Sequence, residues 1–329
     1  MSGQNTNYGF GARLAEEFPS QIIVDVTEVC NLACVHCPHP VFKLSPHYGA
    51  RYLEPELNAR MVDEVSEHGK GRTQYIRYTG EGEPLIHPGG YDMLDYAVRN
   101  SGVFVTLTTN GTIMNEKRTQ KLIESGIHMV DISIDAFTPE TYAKIRRGGD
   151  LNVTRANILS LIRWVKESRA KTKVVVSFIE QPENLSEAAQ FERFWTEEGA
   201  DSVVLRRLHS GAGAVVKIAD IKRKAAQNIK RYPCLYPWER ILLNARGFLA
   251  FCPQDWINGS AVVQYRDTTI RDTWRGEFYR KLRAAHLSND FAGHTFCGQC
   301  PDWQETRWPG QGASYADLVQ KMSAKDVKP

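Results

Sequence analysis

The chain has 329 residues, 42% of them hydrophobic and 24% charged, and a formal net charge of +3, which suits an ordinary globular protein of one large domain or one domain with a smaller partner. The charge is spread along the chain, which argues against a nucleic-acid or anionic-membrane partner. No apolar run approaches the roughly 18–20 residues of a bilayer span, and the polar stretch 1–18 lacks the apolar core of a signal peptide, so a cytoplasmic location is expected.

Strand-like and helix-like segments alternate through the first two thirds of the sequence. A β-branched run at 22–26 is followed by a helix over 57–66, where Leu57, Met61, Val62 and Val65 share one face. A strand at 75–78 and a helix at 91–98 come next, then a strand at 103–107 and a helix at 116–124 closed by Gly126 in the C′ position. The series continues with strand 129–134, helices 139–146 and 153–166, strand 173–179, helix 186–197 and strand 202–205. Six strands joined by helices predict an α/β fold with a parallel sheet. Six units fall short of the eight that close a full barrel, so a partial (β/α)6 TIM-like barrel is expected. Beyond about residue 211 the pattern changes. A basic helical stretch covers 217–231, a hairpin over 241–251 turns at Asn244-Ala-Arg-Gly247, and a helix spans 270–285. A loop with Gly298 and Pro301 carries the last cysteines, and the remaining tail is polar and expected to be loosely ordered. The expected divisions are an N-terminal extension at 1–20, the barrel at 21–215, a small C-terminal hairpin and helix domain at 216–305, and a tail at 306–329.

Seven cysteines in a cytoplasmic chain need a reason, because that compartment keeps thiols reduced. Cys30, Cys34 and Cys37 stand together near the start; Cys234, Cys252, Cys297 and Cys300 stand near the end; none lies between. Three plus four reads as two ligand sets. Three thiolates on a [4Fe–4S] cube leave one iron without a protein ligand, an open position of the kind that separates catalytic from structural zinc sites. A zinc site completed by His36 or His39 is the competing reading of the same spacing.

The triplet Cys30-x-x-x-Cys34-x-x-Cys37 on the loop after the first strand resembles the radical S-adenosylmethionine (SAM) superfamily. Tyr78-Thr-Gly-Glu-Gly-Glu-Pro84 is similar to that family's Gly-Gly-Glu segment, Thr108-Thr-Asn-Gly111 to its Thr-Asn-Gly turn, and Ile132-Ser-Ile-Asp135 with Arg146 to its ribose and carboxylate contacts. The resemblance covers roughly residues 20–210. It implies that SAM is held by Gly82, Glu83, Asn110, Ser133 and Arg146, with His36 where relatives usually carry an aromatic ring beside the adenine. An external electron donor such as flavodoxin or ferredoxin is implied as well.

Four thiolates at Cys234, Cys252, Cys297 and Cys300 suit a closed cubane with no open iron, and a four-cysteine zinc ribbon is the alternative. The layout resembles the twitch subdomain, a shortened SPASM domain, which implies an auxiliary [4Fe–4S] cluster. The implied reaction resembles that of the twitch-bearing dehydrogenases of aminoglycoside biosynthesis, of the 2-deoxy-scyllo-inosamine dehydrogenase type: a secondary alcohol of a sugar or aminocyclitol is oxidised to a ketone. Arg207 and His209, expected to share a strand face, are the candidate bases. Epimerisation is disfavoured because all seven cysteines are already assigned; deoxygenation and maturation of a ribosomal peptide stay open.

Overall fold

The computed structural model describes residues 17–305 and 314–324; residues 1–16 of the expected extension and 306–313 and 325–329 of the expected tail lie outside the described residues. Strands β1 (Gln21–Val24), β2 (Tyr75–Tyr78), β3 (Phe104–Thr109), β4 (Met129–Ser133), β5 (Lys173–Ile179) and β6 (Ser202–Arg206) run parallel, each paired with the next. The connections carry helices, as parallel pairing requires. Helices α1 (His39–Phe42) and α2 (Pro55–His68) follow β1, α3 (Gly90–Asn100) follows β2, and α4 (Glu116–Glu124) follows β3. Helices α5 (Pro139–Ile145) and α6 (Leu151–Ser168) follow β4, α7 (Ala188–Glu197) follows β5, and α8 (Val216–Ala226) follows β6.

After α9 (Tyr236–Glu239), strand β7 (Arg240–Leu243) pairs in parallel with β1. The hairpin of β7 and β8 (Phe248–Ala250), together with β9 (Ala261–Gln264), therefore extends the barrel sheet, in the order β6-β5-β4-β3-β2-β1-β7-β8-β9. The predicted helix at 270–285 is two helices, α10 (Ile270–Arg275) and α11 (Glu277–Ser288), because Gly276 adopts an extended conformation between them. The predicted basic helix stops at Ala226, and the cysteine loop contains a short helix, α12 (Thr295–Gln299).

The expectation of a loose tail is corrected by α13 (Tyr315–Ala324). Its Leu318, Val319 and Met322 form one apolar stripe. They pack on the inner face of the sheet against Ile23, Tyr75, Met129, Val175 and Leu242. The outer face, with Ile22, Val24, Ile76, Val105, Val130 and Val176, packs on the helices in the larger core. Beside the plug, Arg77 and Arg206 share the buried carboxylate of Asp131, at 3.6 and 2.6 Å. Among the described residues no helix is long and apolar enough to cross a membrane.

Candidate active site

The first cysteine set hangs on the loop after β1, and that loop is held on several sides. Ala33 N donates to Arg147 O at 2.9 Å and Val35 N to Ile145 O at 3.0 Å, which ties the loop to the end of α5. Glu28, fully buried, accepts from Gly49 N (2.7 Å), Arg51 Nη1 (2.9 Å) and Arg246 Nε (2.8 Å). Glu83 N donates to Val29 O at 2.9 Å. Gly82 has to be glycine for this contact: a Cβ there would stand 2.3 Å from Thr27 O and 2.4 Å from Val29 O.

The predicted SAM contacts gather around this loop at the strand ends. Glu83 is 2% exposed; its oxygens accept from Thr109 Oγ1 (2.7 Å), Leu85 N (3.1 Å) and Asn110 N (2.8 Å). Burial pushes its carboxyl above the ordinary range. The Asn110 side chain donates to Asn31 Oδ1 at 2.9 Å, joining the β3 turn to the cysteine loop. Ser133 is half-buried at the end of β4. Arg146 is ion-paired with the fully buried Asp135 and donates to Cys34 Sγ at 3.7 Å, so its guanidinium is engaged with the loop. Asp135 also faces His36 Nε2 at 3.5 Å. Burial holds the His36 imidazole down at about 4, so the ring is neutral near pH 7. Asp135, whose backbone is left-handed (φ 62°), is a site residue to which the sequence reading assigned no role. Asp tolerates that conformation better than most residues, which is the only local signal for it.

Cys234, Cys252, Cys297 and Cys300 line one cavity together with His209, Tyr236, His286, Asp302 and Trp303. The cavity has a volume of about 50 Å³, several times the ~10–15 Å³ a single water-sized atom needs, so it admits a polyatomic group. Among the described residues no three cysteine, histidine or carboxylate side chains are spaced to hold one metal ion. Burial pushes the thiols of Cys30, Cys37 and Cys297 up to about 12 and that of Cys300 to about 11, and raises Cys34, Cys234 and Cys252 as well. To ionise, thiols buried this deeply would need a cationic partner on the sulfur, which an iron–sulfur core would supply. Four cysteines around one cavity fit such a group.

The two expected bases are separated. Strand β6 ends at Arg206, so side-chain alternation does not extend to residues 207–209. Arg207 is exposed, whereas His209 lines the second cavity. The turn that follows, 210–213, is wedged between a residue next to the first cysteine set and one near Cys252. Gly211 has φ 61°, and a Cβ on it would meet Pro38 Cγ at 2.4 Å and Trp256 at 3.2 Å. Pro38 adjoins Cys37, and Trp256 lies four residues after Cys252.

The Radical SAM superfamily model matches residues 24–192. Among curated relatives, GTP 3',8-cyclase of Desulforamulus reducens is 36% identical over 131 residues, 39% of this chain and 38% of its own length. Mycofactocin maturase MftC of Mycobacterium ulcerans is 27% identical over 247 residues, 73% of this chain and 63% of its own. The chain thus spans less than two thirds of either relative. Among solved structures, BtrN in complex with AdoMet and 2-DOIA superposes with a TM-score of 0.58 at 18% identity, covering 85% of this chain and 92% of its own. SuiB of Streptococcus suis, bound to the precursor peptide SuiA, gives 0.65 at 13% identity, covering 92% and 73%. At these identities the superpositions speak for the fold.

Proposed function

The chain belongs to the radical SAM superfamily, and on that footing we propose that it oxidises a secondary alcohol of a sugar or aminocyclitol to a ketone. When bound, SAM on a reduced [4Fe–4S] cluster at Cys30, Cys34 and Cys37 supplies a 5′-deoxyadenosyl radical that takes a carbon-bound hydrogen, and a second cluster on the four C-terminal cysteines supplies a one-electron acceptor. Gly82 and Glu83 receive the methionine ammonium, Asn110 and Ser133 border the nucleoside, and His36 offers a neutral ring toward the adenine. Arg146, engaged with Asp135, is a positioning residue that fixes Cys34. His209 accepts the proton of the substrate hydroxyl. Arg207, exposed past the strand end, is dropped from that role.

The observation that supports this reading is the place of His209, which lines the C-terminal cysteine cavity three residues past the end of β6. A base there would lie beside the proposed electron acceptor, as a two-electron oxidation needs. The test is anaerobic incubation of the reconstituted, reduced protein with SAM and a panel of cyclitols and aminocyclitols. One ketone per deoxyadenosine, with no added thiol, supports the dehydrogenase. An epimer, or turnover only with a peptide, replaces it. The 247-residue likeness to a mycofactocin maturase favours peptide maturation as the second reading.

A further inference from the structure

A group of buried acids outside the two cysteine sets has more carboxyls than guanidiniums. Asp25 follows β1, Glu28 lies in the cysteine loop, Glu81 follows β2, and Arg246 sits in the β7–β8 turn. Glu28 is satisfied by Arg51 and Arg246. Glu81 accepts from Arg246 Nη2, with both oxygens at 3.4 Å, and Arg246 Nη1 donates to Asn258 Oδ1 at 2.9 Å. The next carboxylate outward, Asp255, is engaged by the N–H groups of Ile257, Gly259 and Ser260. Three inner carboxyls therefore share two guanidiniums, whose hydrogen bonds go to Glu28 and Glu81 and leave Asp25 aside.

Asp25 is 2% exposed. Backbone N–H groups of Thr27 and Glu81 reach its carboxylate, but among the described residues Oδ2 has no hydrogen-bond partner. A buried carboxylate oxygen left in that state is costly. The residue covering it is Gly80, which is exposed, and a Cβ there would stand 2.3 Å from Asp25 Cγ. Only the exposed Gly80 backbone separates the unpartnered acid from solvent, and the acid lies five residues ahead of Cys30.

We propose that Asp25, roofed by Gly80 and backed by Glu81, is the subsite for a protonated amine of the substrate. An ammonium is a compact point charge with three donors; it takes the place of the proton that burial keeps on Asp25 and gives Oδ2 a partner. Arg246 is already fully engaged, so the charge must come from the ligand. The inference rests on the reading of the substrate as a small polyhydroxylated ring and selects, within that class, rings bearing a free primary amine.

The test is calorimetric titration of the reconstituted, SAM-loaded protein with 2-deoxy-scyllo-inosamine and its N-acetyl derivative. Wild type is expected to favour the amine by at least about tenfold, the scale of a lost charge-assisted hydrogen bond, and Asp25→Asn to bind the two alike. Equal binding in wild type, or a preference retained in Asp25→Asn, overturns the subsite. Melting of wild type with cyclohexylammonium against cyclohexanol needs no variant: a rise with the ammonium alone supports the subsite, and no difference overturns it. If the ammonium stabilises the protein while no cyclitol binds, the subsite stands and the aminocyclitol reading falls. If neutral and amino cyclitols are oxidised with the same KM, the dehydrogenase stands and the subsite falls.

Discussion

The carboxylate of Asp302 holds Ser210 and the turn after it through three donors: it accepts from Ser210 N at 3.0 Å and Ser210 Oγ at 2.7 Å, and from Ala212 N at 2.8 Å. Lys222 Nζ approaches Asp302 Oδ1, the oxygen that accepts from Ser210 N, at 3.3 Å. Asp302 comes two residues after Cys300, and Ser210 directly follows His209. The clamp thus sets the position of the proposed base by the position of the C-terminal cysteine loop. Burial would raise the Asp302 carboxyl, but the donors from Ser210 and the charge of Lys222 hold it below the usual range.

Asp302→Ala leaves two buried N–H groups and a largely buried lysine without their acceptor. The expected loss is about 2–4 kcal/mol, read by urea denaturation, together with a fall in substrate oxidation larger than the fall in SAM cleavage. Equal falls in both would show that the clamp does not serve the base.

Gly82→Ala forces a methyl group onto the carbonyls of Thr27 and Val29. Either the Gly-Glu turn or the cysteine loop must move, at about 1–3 kcal/mol for overpacking. Weaker SAM binding and a lower melting temperature are expected. A variant with wild-type values of both would remove the argument for close approach.

Much of this was legible in the chain because the information is local. The strand readings at 75–78 and 173–179 matched β2 and β5 to the residue, and the stretch closed by Gly126 matched α4, whose start the Asn115 side chain caps by accepting from Arg118 N at 3.1 Å. The cysteine spacing marked both donor sets. What escaped is held by pairs remote in sequence: Asp302 with Ser210, 92 positions apart, and Arg246 with Glu28, 218 apart. Periodicity also ran past its limits. Apolar positions continue across Gly276, so two helices read as one, and the stripe of α13 was masked by the polar residues around it.

Ending the chain before Ser314 tests that stripe. It removes Leu318, Val319 and Met322 from the inner face of the sheet, at about 1.5–3 kcal/mol each. A loss of roughly 4 kcal/mol or more is expected on denaturation. Unchanged stability would mean that the helix does not plug the barrel.

Asp25 and Glu81 predict a pH dependence. Burial pushes both carboxyls up; Arg246 pulls Asp25 partly back, and the charge of Asp25 raises Glu81 further. The folded chain therefore keeps protons that the unfolded chain releases near pH ~4. Between those limits the folded state binds more protons, so stability falls as pH rises from about 4 through neutrality. Asp25→Asn should flatten that fall. Melting curves of both proteins between about pH 5 and about pH 8 decide it; parallel slopes would mean that Asp25 is ionised throughout.

The two cysteine sets should separate in function as they do in space. Two cubanes hold about eight irons per chain, and alanine at Cys234 and Cys252 should leave about four. That variant keeps the first loop, so reductive cleavage of SAM should continue while ketone formation stops for want of an acceptor. Alanine at Cys30, Cys34 and Cys37 should leave a similar iron count and abolish SAM cleavage. The iron counts alone would not distinguish the sets, because each variant keeps one. The crossed outcome does: cleavage without product in one, and neither in the other. If the Cys234/Cys252 variant still makes ketone, the electron leaves by another route, and the second cavity is a structural site.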